Sequence, residues 1–179
     1  MKHYSASIAR TLMRHLRKDN AQTLTFDAKH GKIEFLRPGH GRIAYFAYTI
    51  LLGAKGYSVM LRCPVTPDSG DAETAAAIAK YLAYVNKELG FGANGGHLEG
   101  YFDLNCNSGM IEFRFFVEAY MHLTASVIRD SIEWSGADMD RAVPGILDIL
   151  FRGATPEAAM ADYNRRRENV SEVTFPNLI

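Results

Sequence analysis

Most of the usual signposts of a particular chemistry are missing from these 179 residues. There are two cysteines, Cys63 and Cys106, and neither stands in a CxxC or Cys/His spacing, so nothing resembles a zinc cage or a dithiol redox pair. With no secretory signal, two such thiols are expected to be free in a reducing cytosol. A bridge between them requires β-carbons about 4 Å apart, which spacing does not decide. Net charge is lacking too, with 20 Lys and Arg against 20 Asp and Glu. Without a basic surplus there is little overall field for counterion release, and nucleic acid is not an expected partner. The opening MKHYSASIARTLMRHLRKDN is interrupted by Arg10, Arg14 and His15. It therefore reads as neither signal peptide nor membrane span, and a cytoplasmic protein without a membrane partner is expected. No GxSxG elbow and no GxxxxGK[ST] loop occurs.

What is present is an ordinary core. Apolar residues make up 47% and charged residues 22%, which excludes a globally disordered chain and fits one domain. The sequence divides into an N-terminal amphipathic helix at 1–19, an α+β domain at 20–163 and a basic tail at 164–179. In the first part Ile8, Leu12, Met13 and Leu16 form one stripe and Arg10, Arg14 and Arg17 the other, with Ser5 or Ser7 as cap. Leu24–Phe26 and Ile33–Leu36 flank the turn signal His30-Gly31. Ile43 to Leu52 is apolar on both faces and predicts a central strand covered on both sides. Tyr57, Val59, Leu61 and Cys63 alternate with Ser58, Met60 and Arg62 before Pro64. Asp71 to Leu89 is the clearest helix, with Ala75, Ile78, Ala79, Leu82, Val85 and Leu89 on one side. Burial of its larger apolar side chains contributes roughly 1.5–3 kcal/mol each. Tyr120 to Ser135 predicts another helix ended by Gly136. A further one covers Pro144 to Phe151, and Thr155-Pro156-Glu157 starts the last.

The segment GYFDLNCNSGMIEFRFF, Gly100 to Phe116, alternates on both sides of a polar turn and predicts a β-hairpin. Leu98, Phe102 and Leu104 face inward with Ile111, Phe113, Phe115 and Val117. The outward set is Tyr101, Met110, Glu112, Arg114 and Phe116, extended by Met60 and Arg62. Glu99 opposite Arg114 is the favoured register, because the alternative sets Asp103 opposite Glu112 and like charges across a pair repel. Methionine, tyrosine and phenylalanine mixed with arginine is a composition enriched at protein interfaces.

Several chemical readings give way to blander ones. Gly90-Phe-Gly92-Ala-Asn-Gly95 matches GxGxxG, but a helix enters it and a strand leaves, the reverse of a dinucleotide site. Asp103, Asn105, Asn107 and Gly109 resemble the opening of a calcium loop. Ser108 and Arg114 stand where glycine and the bidentate glutamate belong, so turn chemistry explains them and no metal is expected. Glu118 and His122 lie one helical turn apart, and His30, His40 and His97 sit beside glycines in loops. None forms a recognisable acid–base or nucleophile set, so no catalytic residue, cofactor or enzyme activity is expected. Arg165-Arg166-Arg167 and the Arg10/Arg14/Arg17 face read as solvated helix faces.

The order helix, strands, helix, two strands, helices resembles the type III secretion chaperone-like fold, specifically YbjN-like domains, which are described as bacterial sensory transduction regulators. The resemblance lies in GYSVMLRCPV, KYLAYVNKELGFG, the hairpin through GYFDLNCNSGMIEFRFFVE, and VPGILDILFRGATPEAA. It spans about residues 20 to 160 and implies no catalytic residues. What it does imply is an antiparallel sheet of about five strands against helices. The expected activity is non-covalent protein binding, chaperone-like or regulatory, with a likeness to dimers that hold an extended client. Neutral charge departs from the acidic character of secretion chaperones. The expected site is Met60, Arg62, Tyr101, Met110, Glu112, Arg114 and Phe116. There a homodimer partner or a client segment lies across an apolar groove or adds to a strand edge. A second reading is a small-ligand sensor with a pocket under Tyr45, Tyr48 and Trp134; a third is an enzyme of unrecognised type.

Overall fold

Alternation in the strand segments and helical periodicity elsewhere combine into an α+β fold in the computed structural model, which describes residues 5–39, 41–68, 71–90, 100–105, 108–118 and 123–171. Among these residues the order is α1 (Ala6–Lys18), β1 (Gln22–Asp27), β2 (Lys32–Pro38), β3 (Tyr45–Leu52), β4 (Gly56–Arg62) and α2 (Ala72–Gly90). Then follow β5 (Gly100–Leu104), β6 (Ile111–Glu118), α3 (Ala125–Arg152) and α4 (Pro156–Ser171). One sheet of six strands, rather than about five, runs β1-β2-β3-β4-β6-β5 with every neighbouring pair antiparallel.

The helices cover one face of this sheet. Ile33, Phe35, Phe46, Tyr48, Ile50, Tyr57, Val59, Leu61, Phe102, Phe113 and Phe115 alternate onto it and are buried. Helix α1 is started by Ser5, whose Oγ accepts the Ile8 N–H at 3.5 Å, and buries Ala9, Leu12, Met13 and Leu16 next to α3 and β1. Helix α2 contributes Ile78, Leu82 and Val85 as its periodicity requires. It also contributes Tyr81, which is fully buried and donates to the Ala142 carbonyl at 3.0 Å.

Two expectations are corrected. Gly136 and Pro144 do not divide the chain into two helices; α3 runs unbroken for 28 residues from its cap at Thr124 to a left-handed Gly153. Packing overrides both local breakers, since thirteen residues of α3, Gly136 and Pro144 among them, are buried in the core. At Gly136 an added Cβ would meet the Tyr48 hydroxyl at 2.7 Å, and at Gly145 it would meet Tyr81 Cζ at 2.4 Å. Those glycines are sites of close approach, not stops. The second correction concerns β3, which is central in the sheet but which, among the described residues, is covered by helices on one face only. Of its outward residues Tyr45 and Leu51 remain exposed, whereas Ala47 is half-buried and Thr49 is buried between its cross-strand neighbours.

Both sheet edges are modified. On β5 the Phe102 N–H donates to Asn86 Oδ1 at 2.6 Å, and Asn86 Nδ2 donates to the Phe102 carbonyl at 2.9 Å. At β1 the register shifts between Gln22 and Thr25, and Thr23 takes φ 48°, a strained value for a β-branched residue.

Candidate functional site

Strand parity and register together build the uncovered sheet face. Glu34, Thr49, Met60, Arg114 and Tyr101 follow one another across β2, β3, β4, β6 and β5. Beside that row run Leu36, Ala47, Arg62, Glu112 and Asp103, and on its other side Lys32, Leu51, Ser58 and Phe116. Six of the residues expected to bind a partner, Met60, Arg62, Tyr101, Glu112, Arg114 and Phe116, are thereby brought together. Met110 lies just before β6, half-buried, where its carbonyl accepts the Asn105 N–H at 2.9 Å.

The register is the one disfavoured from sequence, with Asp103 opposite Glu112 and Tyr101 opposite Arg114. Arginines remove the expected repulsion. Glu112 Oε1 accepts from Arg62 Nε at 3.0 Å, and Oε2 accepts from Arg114 Nε and Nη2 at 3.1 and 2.8 Å. Arg114 Nη2 also lies 3.4 Å from Asp103 Oδ2. Glu112 is only 6% exposed although it stands on the open face, because the two guanidinium groups lie over it. Burial pushes its carboxyl up, but the hydrogen bonds from Arg114 and Arg62 outweigh that and hold it below the usual carboxylate range. Arg114 is correspondingly raised, first by its hydrogen bond to Glu112. With both arginines half-exposed, pairs of this kind contribute about 1 kcal/mol or less, so the cluster sets register and neutrality more than stability.

Around this cluster lie large apolar side chains in contact with water. Tyr45, Leu51, Tyr101 and Phe116 are 41, 45, 48 and 57% exposed, and all four belong to the open face. Leu51, Ser58 and Phe116 line a shallow groove of about 260 Å3 with the β3–β4 turn. From sequence Tyr45 and Leu51 belong to a two-sided buried strand. Their odd numbering, shared with Ala47 and Thr49 and opposite to buried Phe46, Tyr48 and Ile50, is the signal that separates the faces.

The sensor constellation does not assemble. Tyr48 is buried and stacked on Phe35 with ring centroids 4.9 Å apart, Tyr45 is on the opposite face, and Trp134 is 52% exposed on α3. The space beside Tyr48, between Arg37, Ile132 and Asp140, is about 10 Å3, the size of a single water.

The remaining candidates serve local structure. Asp27 accepts from His30 Nδ1 at 2.6 Å and from the Lys29 N–H at 2.8 Å in the β1–β2 turn, and the His30 hydrogen bond lowers its carboxyl pKa. Asn105 Oδ1 accepts the Ser108 N–H at 3.1 Å, and Gly109 takes φ 65° in the hairpin turn. Gly90 is the last residue of α2. Cys63 is buried, and burial pushes its thiol up to about 11. Arg10, Arg14 and Arg17 lie exposed along α1. His40, His97, His122, Tyr120, Leu98, Glu99, Cys106, Asn107, the run 91–95 and the side chains of Glu118 and Arg167 lie outside the described residues. Among the described residues no group of three or more His, Cys, Asp and Glu could hold a metal ion. None of their helices is long and apolar enough to cross a membrane. Comparison of the chain with family models, curated proteins and solved structures gives no match.

Proposed function

We propose that this chain is a non-catalytic, cytoplasmic protein-binding domain, chaperone-like or regulatory, that works through the open face of its sheet. The observation that carries the reading is the placement of Tyr45, Leu51, Tyr101 and Phe116 around a self-compensated Arg62–Glu112–Arg114–Asp103 cluster. Large apolar side chains set around arginines on one exposed face are a composition enriched at protein interfaces. Six strands of five to eight residues present a face roughly 24 Å by 20 Å, about 480 Å2 in projection and somewhat over half of the ~800 Å2 per partner of a standard interface. The likeness to YbjN-like, type III secretion chaperone-like domains points the same way.

The occupant argued for is a second copy of the chain. A two-fold contact requires a patch complementary to itself, and the rows of this one carry three positive and three negative groups, the Lys32–Glu34 pair included. With Arg62 at one side and Asp103 at the other, a two-fold rotation sets the basic end of one copy on the acidic end of the next. Face-to-face packing is favoured over strand addition, because Asn86 occupies the β5 edge and a bulge distorts that of β1.

Sedimentation equilibrium tests the proposal. A dimer is expected at about 50 µM, and Leu51→Asp with Phe116→Asp is expected to yield a folded monomer by circular dichroism. A wild-type monomer at that concentration, or a dimer that survives the double substitution, overturns it. A client bound to a monomer through the same face would replace the second copy as occupant.

A further inference from the structure

On the helical side of the molecule, the end of α3, α4 and the segment joining β2 to β3 border an open cleft of about 420 Å3. Its wall carries four guanidinium groups, Arg42, Arg152, Arg165 and Arg166, and two carboxylates, Asp148 and Asp162. Each carboxylate is shared. Asp148 Oδ1 accepts from Arg42 Nη1 at 3.2 Å and from Arg152 Nη1 at 3.1 Å. Asp162 accepts from Arg165 Nη2 at 2.9 Å and, through its other oxygen, from Arg166. Four positive charges on two negative ones leave an excess of two, in a chain whose total charge is zero.

Helical spacing accounts for three of these arginines, which pair with an aspartate three or four residues away on their own helix. Arg42 has no such explanation. It arrives from a different part of the chain, on a segment tied down by two backbone hydrogen bonds. The Gly41 N–H donates to Asp140 Oδ1 at 3.1 Å, and the Gly39 N–H donates to the Ala44 carbonyl at 3.1 Å. The segment thus holds a further cation against an already basic wall. At Arg166 burial lowers the guanidinium pKa, with Tyr81 opposing it and the charge of Arg42 adding to it.

We infer that this cleft binds a small organic phosphate monoester, whose two negative charges match the excess. A guanidinium offers five N–H donors in a planar fork suited to phosphate oxygens, and the pairings with Asp148 and Asp162 leave donors of each arginine unused. The alanines that complete the lining, Ala154 and Ala158 among them, leave room for an organic body. The volume lies within the range of small-molecule sites. This inference rests on the helical side and is independent of the sheet face.

Calorimetric titration of the full chain with glycerol 3-phosphate at about 0.15 M NaCl tests it. One-to-one binding with Kd below about 1 mM is expected, weakened about tenfold by Arg42→Gln and by Arg152→Gln, with the melting temperature of each variant unchanged. On the wild-type chain, the side-chain Nε–H resonances of the four arginines are expected to shift together during the same titration. Unchanged affinity in Arg42→Gln, or equal binding of sulfate, overturns the inference. A phosphoserine peptide that binds ten times more tightly than glycerol 3-phosphate overturns the small-molecule assignment.

Discussion

The Asn86 side chain grips the Phe102 backbone at both its N–H and its carbonyl, at 2.6 and 2.9 Å, as a neighbouring strand would. An unpaired strand edge invites another chain, and a buried backbone pair left unsatisfied costs about 1–3 kcal/mol. Asn86→Leu is therefore expected to lower stability by about that amount and to speed hydrogen exchange at the Phe102 amide. Asn86→Asp, which keeps the acceptor and loses the donor, is expected to fall between. Exchange at Phe102 unchanged in Asn86→Leu would show that the edge is held by something else.

Gly136 and Gly145 separate two kinds of close approach. Alanine at either site is expected to cost about 1–3 kcal/mol through overpacking, despite its better helix propensity. At Gly136 the obstacle is the Tyr48 hydroxyl, so Tyr48→Phe is expected to restore most of the loss. At Gly145 the ring carbons of Tyr81 are in the way as well as its hydroxyl, so Tyr81→Phe leaves the Cζ contact in place and is expected to restore little. Chemical denaturation of the two double variants checks the contrast; equal rescue at both sites would refute it.

Acid sensitivity has a contributor on the open face. The Glu112 carboxyl titrates lower in the folded chain than in the unfolded one, so the native state binds fewer protons there. Its stabilising effect is present above the unfolded value, near 4.5, and is lost as pH falls through the lowered folded value. Because its arginine partners are largely solvated, the effect is about 1 kcal/mol or less. Glu112→Gln is expected to flatten that part of the stability–pH curve below pH 5 and to lower the neutral plateau by about 1 kcal/mol or less. A wild-type acid limb in the variant would remove Glu112 from the account.

Cys63 is expected to be chemically silent. The thiolate is the reactive form, and a thiol pushed up to about 11 inside the core is almost wholly protonated at pH 8. Reaction of the Cys63 thiol with a disulfide reagent is expected only as fast as the domain opens, and at full rate in denaturant. Rapid modification of Cys63 in the native chain would show that β4 ends in a more open environment.

Alternation and periodicity made the α+β class legible, and with it most of the core from α1, α2 and the hairpin. They failed where a distant contact decides. Gly136 reads as a helix stop until Tyr48 is known to press against it, and Tyr81 stands outside the apolar stripe of its helix until Ala142 and Gly145 are beside it. The register misled for the same reason, since pairwise repulsion between Asp103 and Glu112 takes no account of Arg62 arriving from β4. Parity placed the outward hairpin residues together. It could also have separated Tyr45 from Tyr48, but uniform apolarity in β3 concealed that its two faces differ. Asn86 had no sequence signal, because an amide that mimics a strand looks like any other polar residue on a helix.

Glu112 lies beneath Arg62 and Arg114, and this has a consequence for how any contact on that face responds to its medium. Its charges cancel locally, so dissolved sodium chloride finds little to screen, and adhesion there should hardly change with ionic strength. Cooling should loosen such a contact, and sulfate should tighten it, because the pull comes from water leaving Leu51, Tyr101 and Phe116.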